Sequence, residues 1–315
     1  MLPGDFAKAI LGQSATPETV AAFQKELGLD RPAAIRYGEW LGRILVGDLG
    51  QPFARGSRQN VAEIIAPRLY NTIFLAALTA CVAVPLALLL GILTALHRNG
   101  FFDRAMNGVT LVAISLPEFF VAYLLMFVIV SRGTFEYSAT AQALPEWLSA
   151  AILWALNAVP KFPVLSTVSP ATPFWEQVWK CVMPATTLTL VIVAHMMRMT
   201  RASIINLLSS PYIETAKLKG ISPWRVILAH ALPNAWSPIA QVVSFNLAYL
   251  IVGVVVVEVV FVYPGIGQLM VDAVRSRDVP VVQACALIFA VTYILLNLIA
   301  DIVTIVTNPR LLYPK

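Results

Sequence analysis

Five long apolar stretches constrain this chain more than any other feature of its sequence, because a helix needs about 20 apolar residues to cross a lipid bilayer. Of the 315 residues, 58% are hydrophobic and only 12% are charged, whereas a soluble domain usually carries about 25% charged residues. The sequence therefore predicts an all-α, polytopic membrane protein with five transmembrane helices. The predicted spans are 71–96, 105–131, 181–197, 238–262 and 279–307.

Basic residues predict how these spans are oriented. Arg98 and Arg104 lie between the first two spans, a basic cluster lies in 198–236, and Arg310 and Lys315 lie in the tail. If the spans alternate, these segments share one side of the membrane, which the positive-inside rule identifies as cytoplasmic. The sequence thus predicts an external segment 1–70, a transmembrane domain 71–307 with an external loop 132–180 and a cytoplasmic loop 198–236, and a cytoplasmic tail 308–315.

The loop 198–236 contains the pattern that says most about function. Ser210-Pro211 predicts the start of a short helix with a serine cap, and Gly220 predicts its end, because glycine adopts the left-handed conformation without penalty. Ser222-Pro223 predicts a second short helix that runs toward Pro233. We call residues 211–231 the knob, and we expect a cytoplasmic protein to grip it.

The spacing within the knob resembles a motif of known transporters. The pattern Glu214-x-Ala216-x3-Gly220-x11-Leu232-Pro233 is similar to the "EAA" loop in membrane subunits of ATP-binding-cassette (ABC) importers. Thr215 stands where alanine is usual, and His230 stands where isoleucine is common. Five further stretches resemble the subfamily that imports dipeptides and oligopeptides, namely 200–238, 255–261, 264–267, 277–283 and 308–310.

This resemblance implies the fold of a type I ABC importer permease in the plasma (inner) membrane of a bacterium. It implies a membrane-spanning permease subunit of an ATP-driven peptide importer, which forms half of the translocation path. The implied partners are a second, homologous permease subunit, two cytoplasmic ATPase subunits that use ATP and Mg, and an external substrate-binding protein. The alternatives are an importer of nickel, glutathione or another small solute, and a secondary transporter that works without ATPases.

The resemblance also implies which residues couple this chain to an ATPase. Glu214 is expected to accept a hydrogen bond from a basic group or a helix N-terminus of the ATPase, and Ala216 and Gly220 to allow its close approach. Thr215, Leu232 and Pro233 complete the motif. Gly220 also serves as a plain helix stop. The resemblance assigns no residues to substrate binding.

The beginning of the chain raises a separate expectation. Residues 1–70 are predicted to be external, yet the chain opens Met1-Leu2-Pro3-Gly4-Asp5 without a signal peptide. Members of the family that it resembles begin with a membrane helix directly before such a stretch. We therefore expect a further apolar helix to be encoded directly upstream of Met1, which gives six spans in all. The alternative is that there are only five spans and that the first of them draws segment 1–70 outward. Thr16-Pro17 and 36–45 predict two helices within the segment.

Motif searches give no sign of catalysis or of a metal site in this chain. The phosphate-binding pattern G-x-x-x-x-G-K-[ST] is absent, as are H-E-x-x-H, C-x-x-C and G-x-S-x-G. ATP hydrolysis is expected in partner subunits, and no nucleic-acid partner is expected because many of the basic residues lie beside apolar spans. Cys81, Cys181 and Cys285 are expected to be small buried side chains, and the three histidines are too far apart in sequence to predict a zinc site.

Three acidic residues and a tryptophan-rich loop leave alternatives open. Glu118, Glu258 and Asp301 lie within or near spans, where structural pairing or water exposure, lining of the substrate path, and proton coupling are the alternatives. Pro85 and Pro117 are expected to kink helices, as is Pro184.

The loop 132–180 concentrates four of the seven tryptophans, namely Trp147, Trp154, Trp175 and Trp179, and predicts a short helix over 146–158. It forms either an aromatic belt at the membrane surface or a contact surface for an external partner.

Overall fold

The computed structural model of this chain describes Gln13 and residues 15–26, 31–53, 59–134, 145–158 and 160–307. All regular secondary structure within these residues is helical. The helices are α1 (Pro17–Glu26), α2 (Ala33–Leu45), α3 (Val61–Leu96), α4 (Phe101–Ser115), α5 (Glu118–Thr134), α6 (Glu146–Ala158), α7 (Phe174–Leu208), α8 (Pro211–Leu218), α9 (Pro223–Arg225), a π-helical segment (Val226–Ala231), α10 (Leu232–Val260), α11 (Ile266–Arg275) and α12 (Val279–Thr307).

The helices belong to two compact units. One unit comprises Met1–Pro67 and Leu269–Leu287, and the other comprises Arg68–Gln268 and Ile288–Lys315. In the first unit, Thr16 caps α1 as predicted, since its Oγ1 accepts a hydrogen bond of 3.3 Å from the N–H of Thr19. Helix α2 contains the predicted amphipathic stretch 36–45. The stretches 2–5 and 308–315 lie outside the described residues.

The candidate membrane spans agree with the predicted number. Helices α3, α7 and α12 are each long and apolar enough to cross a membrane, and they contain three of the predicted spans. Two bent helix pairs supply the others, α4 with α5 and the two halves of α10. If each bent pair is one span, the described part of the chain has up to five candidate spans. The predicted sides of the membrane stay predictions.

One predicted span differs in shape from the expectation. The stretch 105–131 does not form one helix, because α4 and α5 are separated at Leu116 and Pro117 and are bent by 103°. Leu116 is extended, with φ −93° and ψ 130°, since the ring of a following proline disfavours the helical conformation. Pro85 and Pro184 lie inside α3 and α7 without ending either helix.

Helix α7 lies at the centre of the second unit. It packs against α4, α5 and α10, and α10 also packs against α5. Most of α7 is buried, whereas most of the apolar surface of α3 faces outward. The core around α7 contains Leu75, Leu188, Met196, Phe261 and Tyr263, all of which are fully or almost fully buried. Since α7 ends at Leu208, the knob directly follows this largely buried helix.

Candidate functional site

Helix α8 starts at the predicted place, but its serine does not cap it in the expected way. Ser210 is extended, and its carbonyl accepts the N–H groups of Ile213 and Glu214 at 3.0 and 3.2 Å. The Ser210 hydroxyl donates backward to the carbonyl of Leu207 instead of accepting a backbone N–H. Pro211 occupies the first turn, where its missing N–H leaves no partner unsatisfied. The predicted helix start is confirmed, and the predicted side-chain cap is wrong.

The end of α8 is a Schellman motif centred on Gly220. The N–H of Gly220 donates to the carbonyl of Lys217 at 2.9 Å, and the N–H of Ile221 donates to that of Ala216 at 3.3 Å. Gly220 has φ +71°, a left-handed conformation that side chains with a Cβ rarely adopt. The prediction that Gly220 ends the helix with positive φ is confirmed.

The knob has a small apolar core of its own. Ile213 and Ala216 on α8 pack against Val226 and Ala231 of the π-helical segment, and all four are buried. Ala216 therefore faces inward. The space beside it is filled by the following segment of the same chain, and the expectation that its small side chain lets a partner approach closely stays a prediction.

The outward face of α8 is both charged and apolar. Glu214, Lys217 and Lys219 are exposed, and so are the large side chains of Tyr212 and Leu218, the latter to 85%. Tyr212 and Leu218 thus add apolar area to this charged face. Thr215 also points outward, and its hydroxyl donates to the carbonyl of Pro211 at 3.0 Å, which leaves the helix undisturbed.

The second half of the knob runs into α10 rather than forming a separate helix. After α9, residues 226–231 form a π-helical segment, and the N–H of Leu232 donates to the carbonyl of Ile227, five residues earlier. Pro233 explains why the regular α-helical pattern is interrupted here, since a proline has no N–H to donate to the residue four positions before it. The predicted helix start at Ser222-Pro223 is confirmed, but the helix does not end near Pro233; it continues through the π-helical segment into α10, and so into a span.

Two apolar clusters connect the knob to the rest of the second unit. Leu208, the last residue of α7, packs against the core of the knob and also against a cluster formed by α3, α7 and α10. That second cluster contains the buried side chains of Ala95, Ile204, Ala235 and Ile239, with Leu232 beside them. The knob is therefore packed against the helix that enters it and continuous with the helix that leaves it.

Glu258 has the structural pairing that was one of its predicted alternatives. It is fully buried, and its carboxylate accepts hydrogen bonds from the Thr72 hydroxyl at 2.6 Å and from the N–H groups of Gly267 and Gln268 at 2.7 and 3.2 Å. It thereby caps the first turn of α11, where a negative charge is favoured by the helix dipole. These three hydrogen-bond donors replace the water that the carboxylate would bind if it were exposed, which explains why this acidic side chain can be buried.

The other two acids have different surroundings. Glu118 is partly buried beside the break between α4 and α5, and the Tyr249 hydroxyl lies close to its carboxylate. A Cβ placed on Gly253 would lie 2.8 Å from Glu118 Oε2, so this glycine leaves room for the carboxylate. Asp301 is exposed on α12. Whether either acid lines the substrate path or takes part in proton coupling stays open.

The remaining predicted features are partly confirmed. Helix α6 covers the predicted 146–158, and the side chains of Trp147, Trp154, Trp175 and Trp179 are all exposed. Their exposure fits both an aromatic belt and a contact surface. Cys181 and Cys285 are buried as expected, but Cys81 is exposed on α3, so that prediction is wrong. Within the described ranges, no cluster of His, Cys, Asp or Glu is arranged to hold a metal ion.

Sequence reasoning missed one charged pair close to the knob. Asp103 on α4 forms an ion pair with Arg201 on α7. The available signal was an acid and a base beside two different spans on the same predicted side of the membrane, which makes pairing geometrically possible without requiring it.

Comparison with known proteins matches the chain over nearly its whole length. Residues 87–313 match the family model described as "binding-protein-dependent transport system inner membrane component", and residues 1–76 match the model of its N-terminal region. A putative peptide transport system permease protein of Brucella abortus (strain 2308) is 33% identical over 313 residues, which cover 99% of this chain and 91% of the relative.

Two further relatives match to a similar extent. A probable peptide ABC transporter permease protein of Sinorhizobium fredii is 32% identical over 317 residues, covering 99% of this chain and 91% of the relative. A glutathione transport system permease protein of Salmonella typhi is 33% identical over 313 residues, which cover 99% of this chain and 90% of the relative.

Proposed function

We propose that this chain, which belongs to the family of binding-protein-dependent transport system inner membrane components, drives peptide import by coupling its knob to a cytoplasmic ATPase. The chain is a multi-pass inner-membrane permease subunit of an ABC importer, and ATP hydrolysis takes place in other subunits. What is proposed beyond this is how the chain couples to those subunits, and what it carries.

One observation supports the coupling role above the others. The knob has its own core and exposes Tyr212 and Leu218 together with Glu214 and two lysines. An internally packed projection can be pushed without unfolding, and exposed apolar and charged groups on it supply affinity and orientation to a docked protein. Glu214 would accept a hydrogen bond from the ATPase, and Gly220 would set the angle at which α8 is presented.

The proposed cycle follows from this arrangement. Two ATPases bind ATP with Mg and close, and their movement displaces the knob. Because the knob is packed against the end of α7 and continuous with α10, the displacement reaches both helices. The path between this subunit and a second, homologous permease subunit then opens outward to receive substrate from an external binding protein, and it opens inward again after hydrolysis.

The proposed substrates are short peptides. The Brucella and Sinorhizobium relatives carry peptide transport in their names, and the Salmonella relative carries glutathione transport at an equal level of identity. Glutathione is therefore the alternative substrate. Uptake of a labelled dipeptide into vesicles that contain the complete complex should be inhibited by unlabelled di- and tripeptides. Stronger inhibition by glutathione than by peptides would favour the alternative.

Leu218→Asp tests the coupling role. This change places a charge on the exposed apolar face of α8 without touching the core of the knob, so we expect the ATPases to co-purify with the permease at least 10-fold less. Leu45→Asp is the matched control, because Leu45 is 81% exposed but lies in α2. Unchanged co-purification and uptake in Leu218→Asp would contradict the proposal that an ATPase docks on the outward face of α8.

A further inference from the structure

A buried ion pair joins α4 to α7 close to the end of α7 that carries the knob. Arg201 donates from Nε to Oδ1 of Asp103 at 2.6 Å and from Nη2 to Oδ2 at 2.7 Å. The Asp103 side chain is buried, and that of Arg201 is only 22% exposed. Two parallel charge-assisted hydrogen bonds fix both the separation and the relative orientation of the groups that they join.

The same carboxylate also holds the turn that leads into α4. The N–H of Asn99 donates to Oδ2 of Asp103 at 2.9 Å, and Nδ2 of Asn107 donates to Oδ1 at 2.8 Å. Asn99 itself has φ +64°, a conformation that asparagine tolerates better than most residues. The carboxylate thus accepts four hydrogen bonds, and separation from Arg201 would leave its charge buried without a cation.

Helix α3 also approaches α7 closely beside this pair. A Cβ placed on Gly91 would lie 2.8 Å from Cβ of Thr200 and 3.1 Å from the carbonyl oxygen of Met197. Only a glycine at this position lets the two helices approach so closely. The ion pair therefore lies where α3 comes close to the α7 helix that is bonded to α4.

The pair is connected to the knob by an uninterrupted helix. From Arg201, α7 continues for two turns to Leu208, which packs against the core of the knob. On the other side, α4 leads from Asp103 to the break at Leu116 and Pro117. A displacement of the knob therefore reaches Arg201 along α7, and the ion pair stands between that displacement and α4.

We propose that Asp103 and Arg201 are positioning residues for transport, which make α4 move together with α7 when the ATPases displace the knob. The proposal rests on the coupling role proposed above. Apolar helix contacts allow neighbouring helices to slide past each other, whereas a buried bidentate pair with two further donors has one geometry. The break after α4 then becomes the place where the movement of α7 is converted into a change of angle between α4 and α5.

The test separates this linkage from mere stabilisation. Asp103→Asn and Arg201→Met each leave a partner unmatched, so both should lower stability and uptake. The double variant Asp103→Asn with Arg201→Met removes both charges and keeps a side-chain oxygen that can accept the N–H of Asn99, so thermal stability should recover. Uptake per ATP hydrolysed should nevertheless stay about 10-fold below wild type, because the link between α4 and α7 is still absent. Measurements use the complete complex reconstituted in vesicles with its binding protein.

Two controls make each outcome decisive. Glu176→Gln removes the exposed ion pair with Lys180 at the opposite end of α7, and it should leave uptake per ATP unchanged. If the double variant regains both stability and wild-type uptake per ATP, the pair only stabilises the fold and the proposal is wrong. If Leu218→Asp also leaves docking and uptake unaffected, the coupling role of the knob fails as well, which distinguishes the two failures.

Discussion

Gly265→Ala should destabilise the protein by displacing the buried carboxylate of Glu258. The ideal Cβ of an alanine at this position would overlap both carboxylate oxygens of Glu258. Gly265 does not have positive φ, so the expected effect is steric and not a result of backbone strain. The carboxylate cannot move away without leaving Thr72, Gly267 and Gln268, from which it accepts its three hydrogen bonds.

The magnitude follows from these contacts. A hydrogen bond to a charged group contributes about 1.5–3 kcal/mol, and depriving a buried charge of its partners costs about 3–5 kcal/mol. We expect a loss of about 3–5 kcal/mol, since the three bonds share one carboxylate and their contributions do not add. At roughly 2–4 °C per kcal/mol for a domain of this size, the Tm should fall by on the order of 10 °C.

Thermal unfolding of the purified complex in detergent measures this effect. Gly108→Ala is the matched control, because Gly108 lies inside α4 and a Cβ there would meet nothing within 4 Å. It should be neutral or stabilise the helix by about 0.5–1 kcal/mol. A wild-type Tm for Gly265→Ala would show that the carboxylate has another place to go, and that the network around Glu258 does not hold this part of the fold.

Three further predictions concern transport itself. Gly220→Val should abolish uptake while the protein remains in the membrane, because a β-branched residue is strained at φ +71°; Gly220→Asn should retain part of the activity. Glu214→Lys should reduce uptake and ATPase co-purification more than Glu214→Gln, because it reverses the charge on the outward face of α8. Equal effects of the two variants would argue against an electrostatic contact with the ATPase. Deletion of 145–173 should weaken the stimulation of ATP hydrolysis by the binding protein while the ATPases still co-purify, whereas full stimulation in a correctly folded deletion variant would leave the loop as an interfacial belt only.

The features predicted correctly from the sequence depend on neighbouring residues. A proline in the first turn and a glycine after the last residue define α8 locally, so both ends of this helix were predictable. The start of α1 at Thr16 is local in the same way. The apolar length of α3, α7 and α12 also identifies them without any knowledge of packing.

The features that were missed depend on residues far apart in the chain. Asp103 and Arg201 are 98 positions apart, and Thr72 and Glu258 are 186 apart, so nothing in either local sequence specifies the partner. Ala216 faces inward because a segment at least ten residues later covers it. Pro117 predicted a kink, but the angle of 103° depends on how α4 and α5 pack against α7 and α10, which the proline alone does not determine.

Polar contacts along α7 differ between its ends and its middle. Near one end, Arg201 is bonded to Asp103, and near the other, the hydroxyl of Ser166 donates to the carbonyl of Lys180 at 2.7 Å. Between these points α7 packs through apolar side chains such as Leu188 and Met196. The interruptions of neighbouring helices, after α4 and at Gly253 in α10, meet at Glu118. A change in the angle between helices therefore requires less rearrangement beside Glu118 than near Arg201 or Lys180. Beside Glu118 it breaks no ion pair and uncovers no capped helix terminus.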